Sequence, residues 1–250
     1  MRRILLLSVA FFALILIIAR LNGVSSQTNF FDFIVPQEEE RVLMLPDVVP
    51  TTPLTLFIRT SGAKKELRFS TTFFNQGKGP LEIIGHTDKE DNITYASQYA
   101  YEEGGPGVYR DMGTFVYHPA HSHWHVDQYV FYELWSVDSE GKPDNLLFTT
   151  DKMSFCIWDE NSKDLGVEGA PQARAYPRTC NGRQQGMSVG WSDTYQANIE
   201  GQGVDVTNVG DGTYIFRTII NPDRKILETD YDNNTVDITI EIKGTSLVRK

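Results

Sequence analysis

Four of the chain's five histidines fall within eight residues, at His118, His121, His123 and His125. Imidazole nitrogens gathered in this way suit copper, zinc, iron or nickel. On a strand, His121, His123 and His125 would project from one face, because side chains alternate with period two. Fully extended, the outer two Cα atoms would lie about 13.6 Å apart, so three rings meet one ion only where the strand twists or bends. The other reading of the cluster is a pH-sensitive surface patch. A second pattern, Gly186-Met187-Ser188-Val189-Gly190, has the form of a hydrolase nucleophile elbow. That elbow needs a strand–turn–helix and a downstream histidine. Every histidine here precedes Ser188, so serine hydrolysis is not expected. A third cluster, Glu228-Thr229-Asp230-Tyr231-Asp232-Asn233-Asn234, offers enough side-chain oxygens for a hard cation such as calcium. Its spacing is not that of an EF-hand, and an acidic turn capping its own backbone reads the same way. Cys156 and Cys180 form no CxxC. They are either one bridge, closing a loop of about 25 residues, or two buried thiols.

The elements that must position these groups are strands. With 40% hydrophobic and 12% aromatic residues, 250 residues can fill one sizeable core, which excludes collagen-like, low-complexity and disordered chains. Leu67, Phe69, Thr71 and Phe73 alternate with polar residues, as do Val236, Ile238, Ile240 and Ile242. Asp211-Gly212 reads as a hairpin turn between 204–209 and 213–220. No stretch holds a helical period for three turns. The expectation is a mostly β, single-domain β-sandwich with long functional loops, the longest being 160–192. A net charge of −10 argues against nucleic acid and favours cationic partners, amines among them.

The first 26 residues differ from the rest. Arg2 and Arg3 precede an apolar run over residues 4–19, and Val24-Ser25-Ser26 offers a small-residue cleavage site. The run is short for a membrane span. The expectation is a signal peptide over 1–26, or an N-terminal anchor through 4–19, and a secreted or cell-surface protein. Cleavage would take the formal charge to about −13. Residues 27–50 read as an extended arm, 51–243 as the main domain and 244–250 as a tail. Asn92 and Asn233 stand in glycosylation sequons, which carry weight only in a host that glycosylates its exports.

Four segments together are more specific than any alone. His121-Ser122-His123-Trp124-His125, Lys152-Met153-Ser154-Phe155-Cys156, Gly190-Trp191-Ser192-Asp193-Thr194-Tyr195 and the 228–234 turn resemble the lysyl oxidases in order and spacing. The resemblance covers about 115–242, and 67–84 is similar to microbial members. It implies copper(II) on His121, His123 and His125. It also implies a lysine tyrosylquinone cofactor, made by the chain itself from Lys152 and Tyr195, its catalytic pair. Calcium on Glu228, Asp230, Asn233 and Asn234 follows from the animal members. The implied activity is oxidation of primary amines, peptidyl lysine included, by dioxygen to aldehydes, with ammonia and hydrogen peroxide released. Membrane contact would come only through an uncleaved leader.

Three departures stand out. One disulfide replaces several, and the stretch after the histidines is one residue shorter. Phe131-Tyr132-Glu133-Leu134 stands where the family places a histidine, a suggested catalytic base, before Tyr-Asp-Leu. Asp127 and His118 are then the candidate bases. The alternative is a non-catalytic extracellular copper-binding β-sandwich, which has no use for the Lys152 and Tyr195 pair. A zinc or non-haem iron enzyme is a third reading and needs a carboxylate ligand such as Asp127.

Overall fold

The computed structural model describes residues 42–119, 121–151 and 153–250, which belong to one unit running from Val42 to Lys250. The leader, most of the expected arm and Lys152 lie outside the described residues.

Among the described residues the regular elements are all strands. In chain order they are β1 (Leu43–Met44), β2 (Val48–Pro50), β3 (Leu56–Ser61), β4 (Lys64–Phe69), β5 (Thr71–Asn75) and β6 (Leu81–Thr87). Then come β7 (Thr94–Glu102), β8 (Gly105–His118), β9 (His123–Val137), β10 (Pro143–Thr149), β11 (Met153–Phe155) and β12 (Asn161–Ser162). The last six are β13 (Gln184–Met187), β14 (Trp191–Tyr195), β15 (Gly203–Asp205), β16 (Gly212–Ile220), β17 (Thr235–Lys243) and β18 (Ser246–Arg249). The largest sheet runs β13-β6-β7-β8-β9-β16-β17-β18, with β1 added to β7, and β10 and β11 added to β9. Two smaller sheets, β12-β14-β5-β2 and β15-β4-β3, complete the mostly β fold.

The three sheets share one core. Phe69 of β4 packs its ring 4.6 Å from Phe216 of β16 and 4.4 Å from Tyr132 of β9. Phe73 of β5 meets Tyr129 of β9 edge-on at 5.2 Å. These rings come from different sheets, which is face-to-face sheet packing.

Three sequence expectations change. The polar residues of the 67–73 alternation, Arg68, Ser70 and Thr72, are buried as well. The chain passes at Ser70 from the smallest sheet to the middle one, so neither face stays wet. Arg68 is tolerated inside because its guanidinium donates to the carbonyls of Ala197 (2.7 Å) and Ile199 (2.6 Å). Asp211-Gly212 does not join a hairpin. β15 pairs with β4, while β16 pairs with β9 and β17. Asp211 instead accepts the Gly244 N–H at 2.7 Å, closing the β17–β18 turn. Among the described residues, the last part of the expected arm and the expected tail carry strands. Val48 is fully buried in β2, and 246–249 form β18 against β17.

Candidate active site

β9 is the spine of the site. It is 15 residues long and pairs with β8, β10, β11 and β16. Its first residues are His123 and His125, opposite His118 and Val116 of β8. His121 lies before the strand, in a turn where His121 N–H and Ser122 N–H both donate to the His118 carbonyl. Ser122 has φ +57°, and this left-handed residue folds His121 back over the strand end. The distance that an extended strand would put between His121 and His125 is thereby removed.

The three imidazoles converge. His123 Nε2 lies 2.9 Å from His125 Nε2, and His121 Nδ1 lies 3.4 Å from the same atom. One nitrogen from each ring lies within 4.8 Å of the others, a group able to hold a metal ion. Nitrogens about 2 Å from a shared ion would be separated by about 2.8–4 Å, so the donor set fits. Ser154 Oγ at 3.2 Å from His125 Nδ1 fixes that ring and leaves Nε2 facing its neighbours. Burial lowers the affinity of all three rings for protons, with neighbouring histidines adding to it, and His125 falls to about 3. Near neutral pH the rings are therefore unprotonated, the state that binds metal. His118 stacks on His121 at 4.3 Å and its Nδ1 is buried without a hydrogen-bond partner.

Tyr195 is delivered by another sheet. At the end of β14, paired with Thr71 of β5, it packs edge-on against Phe155 at 4.2 Å. Its hydroxyl accepts the Cys156 N–H at 2.5 Å and donates to the Cys156 carbonyl at 3.0 Å. Burial, then the Asp193 carboxylate, hold the phenol well above its ordinary value. Tyr195 lines two cavities. One, about 370 Å³, is shared with His121, His123, Trp158, Glu160, Arg178 and Asp193. The other is shared with His118, His121, His125, Met153 and Ser154. Met153 follows Lys152 directly in sequence.

Cys156 and Cys180 are bonded, their Cα atoms 5.4 Å apart. The Cys180 carbonyl accepts the Trp124 N–H at 2.8 Å, so the bridge ties the 156–190 segment to the histidine strand. Asp159 organises that segment. It is fully buried and accepts from Ala175 N, Tyr176 N, Ser188 N and Ser188 Oγ at 2.7–3.1 Å. Ser188 is thus a buried donor to Asp159. Gly190 closes the same pattern for a backbone reason: φ is +76°, and a Cβ would stand 2.2 Å from the Asp164 carbonyl oxygen.

A family model described as lysyl oxidase matches residues 106–249, more than half of the chain. The chain belongs to the lysyl oxidase family. Human lysyl oxidase homolog 4 is 30% identical over 184 residues, covering 73% of this chain and 19% of that protein. Protein-lysine 6-oxidase of Gallus gallus is 35% identical over 136 residues, 54% of this chain and 30% of the relative. The Sus scrofa protein of the same name is 33% identical over 136 residues, 54% of this chain and 50% of the relative. The chain thus spans between a fifth and a half of the length of these lysyl oxidase relatives.

Against the family expectation, Phe131 is half-buried and Asp127 lines neither histidine cavity. The next residue, Gln128, is left-handed (φ +56°), and the pairing of β9 with β11 is irregular between Val126 and Val130. Asp193, two residues before Tyr195 on the same strand face, has no role of its own assigned by the sequence pattern. The acidic turn is split. Glu228 is buried, with Oε2 accepting Val48 N–H at 2.7 Å and Oε1 accepting the Asn221 (2.6 Å) and Asn234 (2.9 Å) amides. Asn233 Nδ2 donates to Asp47 at 2.9 Å, while the side-chain oxygens of Asn233 and Asn234 are buried and unpartnered. Asp230 is exposed and accepts the Asp232 N–H. Asp47 joins this cluster from 186 residues away, with no local signal.

Proposed function

We propose that this chain is a copper-dependent amine oxidase that converts primary amines, lysine side chains of proteins included, to aldehydes. The observation that carries the reading is Tyr195, which lines both cavities walled by the converging histidines. Copper(II) would be held by His121, His123 and His125. A quinone would be built from Tyr195 and Lys152. With both in place, the site supplies two-electron oxidation of the amine, with dioxygen reduced to hydrogen peroxide and ammonia released.

The chain's own residues prepare this. Ser154 orients His125, and the main chain at Cys156 clamps the Tyr195 hydroxyl, so the ring cannot swing out of the cavity wall. Lys152 must be neutral to add to an oxidised ring, and its ordinary pKa is about 10.4. A nearby dication would lower it. Peptidyl lysine fits the substrate named in the protein-lysine 6-oxidase relatives. The disulfide and the leader fit an extracellular or cell-surface setting. Calcium is proposed at Glu228, Asp230, Asn233 and Asn234, with Asp47 beside them. The unpartnered oxygens of Asn233 and Asn234 are the hard donors such an ion takes.

The test is the visible spectrum of the copper-loaded full chain before and after phenylhydrazine, which traps a reactive quinone carbonyl. Wild type is expected to show an absorbance that phenylhydrazine shifts. Tyr195→Phe and Lys152→Ala are expected to retain copper and show neither the absorbance nor amine oxidation. Full activity in Lys152→Ala would overturn the assignment.

A further inference from the structure

The cavity of about 370 Å³ is lined by two accessible side chains of opposite charge, Glu160 and Arg178, that do not pair with each other. Among the described residues, the exposed Arg178 makes no ion pair and its guanidinium makes no hydrogen bond. Nearby Arg174 shows the contrast. Both guanidinium groups lie over the Trp158 ring, at 4.8 Å for Arg174 and 5.6 Å for Arg178. Arg174 also directs its donors at the carbonyls of Asp159 and Glu160, the second at 2.8 Å. Arg178 has the ring contact alone, which uses its charge and leaves all five N–H donors free.

Exposed arginines are usually just solvated, but this one is anchored on the wall that holds Tyr195. It stands two residues before Cys180, whose bridge to Cys156 and bond to the Trp124 N–H fix the backbone. Its charge acts on both Tyr195 and His123, so it lies close to the reactive wall. Glu160 is half-buried, and its carboxylate accepts from the Asn161 amide at 3.2 Å. The third carboxyl of the lining, Asp193, is fully buried. The cavity thus offers a guest one charge of each sign. A ligand that answers both carries an ammonium and a carboxylate on one chain. Trp158 and Ile199 supply apolar wall for the methylenes between them. A carboxylate can take two parallel N–H bonds from a guanidinium, whereas a diamine sets its second cation against it.

We propose that the cavity selects ω-amino carboxylates, short chains with a primary ammonium at one end and a carboxylate at the other. Arg178 receives the carboxylate, and the amine faces Tyr195 and Glu160. The inference rests on the amine oxidase reading and adds a substrate class to it, with Arg178 as the residue that sets the preference.

The test compares 6-aminohexanoate with its uncharged isostere 6-aminohexanamide on the full-length, copper-loaded chain near pH 7.5. Wild type is expected to favour the carboxylate at least tenfold in kcat/KM, chiefly through KM, and to disfavour 1,6-diaminohexane. Arg178→Gln is expected to bring the carboxylate-to-amide ratio within about twofold of one. Arg178→Lys, which keeps the charge without the fork, is expected to retain part of the preference. Arg178→Glu is expected to turn it towards the diamine. A second readout needs no turnover: calorimetric binding of 6-amino-6-methylheptanoate and its amide, which have no hydrogen on the carbon bearing nitrogen and cannot be oxidised. The same ratio is expected there. A wild-type binding ratio near one would overturn the proposal, even if every variant failed to fold. So would a ratio undiminished in Arg178→Gln, which would place the carboxylate elsewhere. The amine oxidase reading fails on a different observation, the absence of phenylhydrazine-sensitive absorbance in wild type, so the two failures are told apart.

Discussion

His121, His123 and His125 are prepared for a metal by three different means: a left-handed turn, a strand end and a serine hydrogen bond. Replacing any one by Ala is expected to lower copper retention at least tenfold, read by metal analysis after dialysis. Unchanged stoichiometry in the triple variant would remove the site. His125→Ala is expected to be the most damaging to stability too, since that ring is 2% exposed and its loss leaves a hole in the sheet. At this scale the sequence was highly legible where chemistry is local. Four histidines in eight residues announce themselves, and so does a lone pair of cysteines. Asp193 and Asp47 were not legible, because what distinguishes them is full burial of a carboxyl and a contact 186 residues away.

Among the elements, the bridge and the acidic turn make separate predictions. The Cys156–Cys180 loop spans 24 positions, for which the chain-entropy estimate is about 3 kcal/mol. Cys156→Ala with Cys180→Ala is expected to lower the melting temperature. It is also expected to slow appearance of the quinone absorbance more than copper uptake, because the Cys156 main chain clamps Tyr195. Glu228 is raised from 4.5 to about 7 by burial, and the amides that donate to it only partly offset this. Its folded form therefore holds a proton that its unfolded form has lost. The stability this gives is complete below about pH 4.5 and fades as pH rises through 7, by on the order of 3 kcal/mol. Calcium, by pairing the ionised carboxylate, is expected to raise the melting temperature more at pH 7.5 than at pH 5. Glu228→Gln is expected to flatten the dependence between those pH values, and an unaltered profile would show that other groups set it. Strand identity was legible in the 236–242 alternation, because one face is wet. The 67–73 segment misled, because it changes sheets at Ser70 and is covered on both faces.

For the molecule as a whole, the acidic balance is a property the sequence carries without any fold. Charge steering by a net charge of −10 predicts that kcat/KM for small cationic amines falls as salt rises from about 20 to about 500 mM, as screening shortens to a few ångströms. A flat profile would show that the field inside the cavity governs entry instead. The fold class was legible from strand periods and the missing helical period. The division into one large sheet and two small ones was not, since turn signals such as Asp211-Gly212 do not say which strand comes next to which. The spine strand has a kinetic consequence. His125 sits where β9 is paired on both sides, opposite Val116 of β8 and next to the Val126–Phe155 pairing with β11, so its amide should exchange with deuterium only when the entire domain unfolds. His121 hangs on a turn of two hydrogen bonds to one carbonyl, which opens far more cheaply. Metal turnover should then follow the breathing of that turn. Proteins equally stable to heat could differ widely in how fast they surrender their ion.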